Sequence, residues 1–242
     1  MRALKITVVV LVVVGVLALA ADRIALRMAE SDAAERVEKE YGFSQRPDIE
    51  IKGFPFLTQL MARKFDTVDV RIDGINAVGG GGRTLRLDGV SGELEGVRIE
   101  GDNWDRATAD KADGKVTITY EDISAALPVV DVSYGGKGAA GENKVKATVG
   151  TSFLGQRLEE SLLGKVSVVD GNTIRLRATG VDNLKGVPGL EDFVRDRMDY
   201  NWTINDLPPG IRLTDVEVTE DGIVVTGSGK DVELGDERSA KG

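Results

Sequence analysis

Thr67-Val-Asp-Val-Arg-Ile-Asp73 places an apolar residue at every second position: Val68, Val70 and Ile72 alternate with Asp69, Arg71 and Asp73. Successive side chains of an extended chain point to opposite faces, so the segment reads as a strand with one apolar and one wet face. The same period recurs at Leu85 and Leu87, Val97 and Ile99, Val116, Ile118 and Tyr120, and Val145, Ala147 and Val149. It returns at Val166 and Val168, Ile174 and Leu176, Val216 and Val218, and Ile223 and Val225. Turns are expected between these strands at Asp73-Gly74, the Gly79–Gly82 run, Asp113-Gly114, Gly135-Gly136, Asp170-Gly171 and Asp221-Gly222. Strands covered on both faces would be apolar throughout, so half-buried alternation implies antiparallel pairing. The expected fold class is α+β: an N-terminal membrane-directed helix, then a large curved antiparallel β-sheet with short amphipathic helices.

Upstream of the strands, residues 22–41 read as a helix with Ile24, Met28, Ala33, Ala34, Val37 and Tyr41 on one face and Gly42 as its stop. Before it, Arg2 and Lys5 lead an uncharged apolar run from Ile6 to Ala21, the layout of a secretory signal. Sixteen helical residues rise about 24 Å, somewhat short of a hydrocarbon core of roughly 30 Å. Ala18-Leu-Ala20 suits cleavage, whereas the helix-forming sequence that follows suits one helix through the junction. Residues 1–21 are therefore a signal peptide or a signal anchor, and residues 22–242 a single β-rich domain. With Arg2 and Lys5 retained in the cytoplasm, that domain faces outward from the plasma membrane, or enters the envelope or periplasm after cleavage.

Composition removes several functions. With 31 basic against 40 acidic residues and a net charge of −9, nucleic acid is an unsuitable partner. Charge also gives no attraction to anionic headgroups, so membrane contact must come from apolar surface. Cysteine and histidine are both absent. Disulfides, thiolate nucleophiles and a lipidated cysteine are excluded, and the commonest general base and transition-metal ligand are missing. No catalytic, cofactor-binding or metal-binding residue is assigned. Gly136-Lys-Gly-Ala-Ala-Gly141 matches a dinucleotide pattern but precedes a strand instead of opening a helix, so it reads as a hairpin tip. Gly227-Ser-Gly-Lys230 lacks the spacing of a phosphate loop, and Asp102, Asp105, Asp110 and Asp113 read as a solvated acidic loop.

Short helices are expected within the β-rich region. In residues 53–66, Phe54, Leu57, Met61 and Phe65 form a helical stripe widened by Phe56 and Leu60, with Pro55 in the first turn. Residues 186–199 repeat the spacing at an offset of 133, from Gly186-Val-Pro188 to Asp199. Weaker helical turns are expected at 121–128 and 155–164.

The order of these segments, with Gly53-Phe-Pro-Phe-Leu57, Asp122-Ile-Ser-Ala-Ala-Leu-Pro128, Leu207-Pro-Pro-Gly210 and Gly222-Ile-Val-Val225, resembles the LmeA family of phospholipid-binding proteins of the actinobacterial envelope. The resemblance implies an extracytoplasmic phospholipid binder that holds or carries lipid and supports envelope glycolipid (mannan-lipid) synthesis. It implies phospholipid as a partner, beside the membrane contacted through the N-terminal segment, and supplies no catalytic residue. An apolar sheet face can hold an acyl chain, as in tubular lipid-binding folds; here the helix of residues 54–65 would close the groove. The expected lipid contacts are Phe54, Phe56, Leu57, Leu60, Met61 and Phe65. A non-catalytic scaffold of an envelope complex and a carboxylate-dependent glycan hydrolase are the rival readings.

Overall fold

The computed structural model describes residues 2–78, 84–101, 106–126, 130–137, 141, 143–153, 156–179, 200–204 and 207–234. Half-buried alternation becomes two antiparallel sheets. The first takes β1 (Asp48–Lys52), β2 (Lys64–Val78), β3 (Thr84–Glu100), β4 (Arg106–Thr119), β11 (Gly222–Leu234) and β10 (Ile211–Val218), paired in that order. The second takes β5 (Val130–Lys137), β6 (Asn143–Phe153), β7 (Gln156–Val169), β8 (Thr173–Thr179) and β9 (Tyr200–Thr203), also in order. Three helices are described: α1 (Arg2–Tyr41), α2 (Phe56–Ala62) and α3 (Tyr120–Ala126).

One large sheet was the expectation; the chain divides it where Tyr120 leaves the strand to begin α3. The halves rejoin through β10, the edge of the first sheet. Val132, Val145 and Val166 of the second sheet share a core with Leu213, Val216, Val218 and Val225 of the first. Three backbone groups of the β10 edge find partners across the junction. The Asn143 side chain donates to the Val216 carbonyl and accepts from the Val218 amide at 3.1 Å. Leu213 N–H donates to the Gly171 carbonyl at 2.7 Å. An open sheet edge is thereby blocked within the molecule.

Two Asp-Gly pairs expected as turns lie inside strands. β2 runs through Asp73-Gly74 and β4 through Asp113-Gly114. Gly74 takes φ 65° within β2, and the buried phase shifts there from Ile72 to Ile75. Gly96 does the same in β3 at φ 63°, so that Leu94 and Val97, three residues apart, meet in one cluster. A left-handed residue inside a strand is open to glycine at low cost, and it bends the sheet there without ending it. Asp170-Gly171 and Asp221-Gly222 do join consecutive strands. The helical turn at 155–164 is also corrected, since Gln156–Val169 is a strand. There Leu162 and Gly164 pair with Ala147 and Val145 of β6, and sheet packing outweighs local helical spacing. The helical spacing expected at 186–199 lies outside the described residues.

α1 is one unbroken helix through the junction at Ala21, and it is long and apolar enough to cross a membrane. It docks by Ala25, Leu26 and Ala29, which pack on the first sheet and α2. Of the residues expected to share one face, Ile24 and Met28 are exposed while Ala34 is buried. Asp22 sets that rotation: buried and bonded to α2, it brings positions i+3, i+4 and i+7 inward with it.

Candidate functional site

The apolar face of the first sheet is built of cross-strand rows. Val68, Leu94 and Ala112 form one row, and Ile72, Val90, Val116 and Val225 another. Between them runs Val70, Gly92, Gly114 and Gly227. Three adjacent glycines in register leave the face without side chains across β3, β4 and β11, a trough roughly 10 Å long at about 4.8 Å per strand. Among the described residues, a Cβ added at Gly92 or Gly114 would meet nothing closer than 3.8 Å. Val70 stands at one end, and at the other Ile211 would lie 3.6 Å from a Cβ on Gly227. Each glycine occupies an apolar phase of its strand, as in Val90-x-Gly92-x-Leu94 and Ala112-x-Gly114-x-Val116. That phase was visible in the sequence; the register that aligns the three was not.

The six expected lipid contacts do not form one stripe. α2 is shorter than expected: Pro55, in extended conformation, is its N-cap, and Arg63, at φ 52°, ends it. Phe65 therefore belongs to β2. Phe56 and Phe65 are buried, their rings stacked with centroids 6.2 Å apart, in a cluster with Val97 and Ala109. Leu57 and Leu60 are half-buried against the same cluster, which also reaches Val68 and Leu94 on one wall of the trough. Phe54 and Met61 face outward, at 61% and 86% exposure.

Polar side chains fix α2 from two sides. Asp22 accepts the Leu57 N–H at 2.8 Å and pairs with Arg23 at 2.8 Å. The amide bond from Leu57 is the main reason its carboxyl lies below the ordinary range, helped by Phe56 N–H and Arg23 against the opposing effect of desolvation. Buried Gln59 donates to the Lys52 carbonyl at 3.3 Å and accepts the Asp66 N–H at 2.8 Å. Glu30 of α1 accepts the Ile51 N–H at 2.9 Å, tying the helix to β1 as well.

The opposite face of the sheet is wet. Its shallow recess is lined by Asp69, Arg71, Ser91, Glu93, Asp113 and Lys115 among others. Lys52 pairs with Asp69 at 2.6 Å, and Lys111 with Asp113 at 2.6 Å and Glu95 at 3.1 Å. These are mostly solvated pairs of modest energy. Asp110 and Asp113, expected in a loop, stand on β4, while Asp102 and Asp105 lie outside the described residues. Among the described residues no cluster of acidic side chains has the arrangement of a metal site. The Gly227–Lys230 segment is interior to β11, and of the Gly136–Gly141 pattern Gly136 lies within β5 with strand β6 following from Asn143, so neither opens a helix among the described residues.

Compared with known proteins, the chain from residue 20 to residue 228 matches the model of the family described as LmeA-like phospholipid-binding. The match begins at the end of the apolar run and takes in both sheets. No curated protein and no solved structure gives a match.

Proposed function

This chain belongs to the LmeA-like phospholipid-binding family, and from that premise we propose that it is a non-enzymatic phospholipid-binding protein of the cell envelope, acting outside the cytoplasm and holding lipid on the apolar face of its first sheet. The family match over residues 20–228 carries the reading. The glycine trough supports it with a place for an acyl chain: aliphatic rows on both sides, a floor of bare backbone and no charge among the side chains of those rows. Binding there draws on apolar area removed from water, at about 25 cal/mol per Å². The headgroup would remain towards solvent, so this chemistry selects acyl chains more strongly than headgroups.

The proposed role is to hold or carry phospholipid in support of envelope glycolipid synthesis. A transfer assay tests it. Donor vesicles carrying self-quenched fluorescent phosphatidylethanolamine are mixed with unlabelled acceptors and the chain lacking residues 1–21. The reading expects fluorescence to rise with protein concentration while the lipid stays chemically intact. Release of a hydrolysed product would favour an enzyme, and no extraction at any concentration would favour a scaffold.

A further inference from the structure

We propose that α2 and the adjoining turns of α1 seat the protein on the bilayer surface, with Phe54 and Met61 entering the headgroup region beside the point where α1 emerges. This rests on the reading that the run from Ile6 to Ala21 lies in a membrane.

Three observations carry it. First, the large apolar side chains of the run are 50–65% exposed, with nothing packed around them. Beyond the run, the exposed large apolar residues among those described are Ile24, Met28, Phe54, Met61 and, far less so, Leu163. Four of these five belong to α1 and the α2 segment, which touch each other. Second, Asp22 immediately follows the run and is bonded to the first turn of α2. α2 therefore cannot move away from the membrane exit of α1 while that bond holds. Third, the exposed cations Arg23 and Arg27 lie one helical turn apart beside Ile24 and Met28, with Arg23 5.2 Å from the centre of the Phe54 ring. Cations next to exposed aromatic and aliphatic side chains suit the phosphate level of a bilayer, where an apolar body and a polar tip are both satisfied. A soluble protein partner would not account for continuity with the apolar run. Seated in this way, the cluster around α2, which reaches Val68 and Leu94 at the trough, stands between the bilayer and the proposed lipid site.

The chain has no cysteine, so single-cysteine variants can be spin-labelled cleanly. Leu11→Cys, Phe54→Cys, Met61→Cys and Glu220→Cys in the full chain would be reconstituted into vesicles of phosphatidylethanolamine and phosphatidylglycerol. Each label is then tested for collision with oxygen, enriched in lipid, and with a water-soluble nickel chelate. Glu220 is the aqueous control: it precedes Gly222 at the opposite end of β11 from Leu234, roughly 40 Å away along the strand. The proposal expects labels at 54 and 61 to favour oxygen several-fold over the label at 220, approaching the one at 11. Labels at 54 and 61 as open to nickel as 220, with 11 protected, would overturn the seat and leave the membrane helix standing. A label at 11 open to nickel would overturn both. Because Met61 is 86% exposed, its label leaves packing intact and decides the matter even if Phe54→Cys folds poorly.

Discussion

Asp22 is the residue on which the docking of α1 depends. Its carboxylate is 3% exposed and accepts the Leu57 amide, acting as a helix cap delivered from 35 residues away. Asp22→Ala removes that acceptor, and a melting temperature lower by roughly 2–4 °C is expected, the size of a lost cap in a domain of this length. The pH dependence has a definite sign. The folded carboxyl titrates below its ordinary 3.8, so its contribution is complete above that value and fades as pH falls through the lower folded one. The difference in melting temperature between parent and Asp22→Ala should hold at neutral pH and narrow as pH falls below 3.8; a difference that widened there would contradict this. Tyr120 behaves oppositely. Its hydroxyl donates to the Thr219 carbonyl at 2.6 Å, and burial, then the nearby Tyr134 and Asp221, push its pKa up to about 12. The stabilisation is full below 10 and lost as pH rises through 12. Of the chain's four tyrosines, one should ionise near 12 in an ultraviolet titration, and Tyr120→Phe should remove that step.

At the scale of elements, the trough makes the sharpest claim. Gly92→Val and Gly114→Val would fill it from positions where a Cβ meets nothing closer than 3.8 Å, and a β-branched residue favours the strand over glycine. Melting temperature should be unchanged or higher while phospholipid uptake falls; unaltered uptake would remove the trough from the account. α2 offers a contrast between its faces. Phe56→Ala should cost about 3–5 kcal/mol in a denaturant titration, because a fully buried ring leaves a cavity. Met61→Ala should stay within about 0.5 kcal/mol, as for an exposed position. The strands were legible wherever the two-residue period ran unbroken, as at Val68, Val70 and Ile72. Asp73-Gly74 misled because a glycine that turns a hairpin and one that bends a continuous strand share the same left-handed preference. The stripe from Phe54 to Phe65 misled for a related reason. Its 3.6-residue spacing continues past Arg63, where the backbone has already left the helix, so residues of one apparent face part between core and solvent.

For the whole molecule, α1 rises about 60 Å over its 40 residues. The large apolar side chains of its run from Ile6 to Ala21 are exposed, and its second half is tied to α2 by Asp22 and to β1 by Glu30. The N-terminal apolar helix and the β-rich body were legible from hydropathy and period. That the body has two sheets was not, because sheet membership is decided by which edge β10 meets. Asn143, whose amide bonds both Val216 and Val218, gives no sign of that role in a local pattern. The central claim is that this body binds phospholipid, and native mass spectrometry of residues 22–242, purified without detergent after exposure to phospholipid vesicles, tests it most directly. The account predicts a population heavier than the bare chain by one phospholipid, whose fragments identify its acyl chains, and a loss of that population in Gly92→Val and Gly114→Val. A folded parent chain that carries no lipid under these conditions would contradict it.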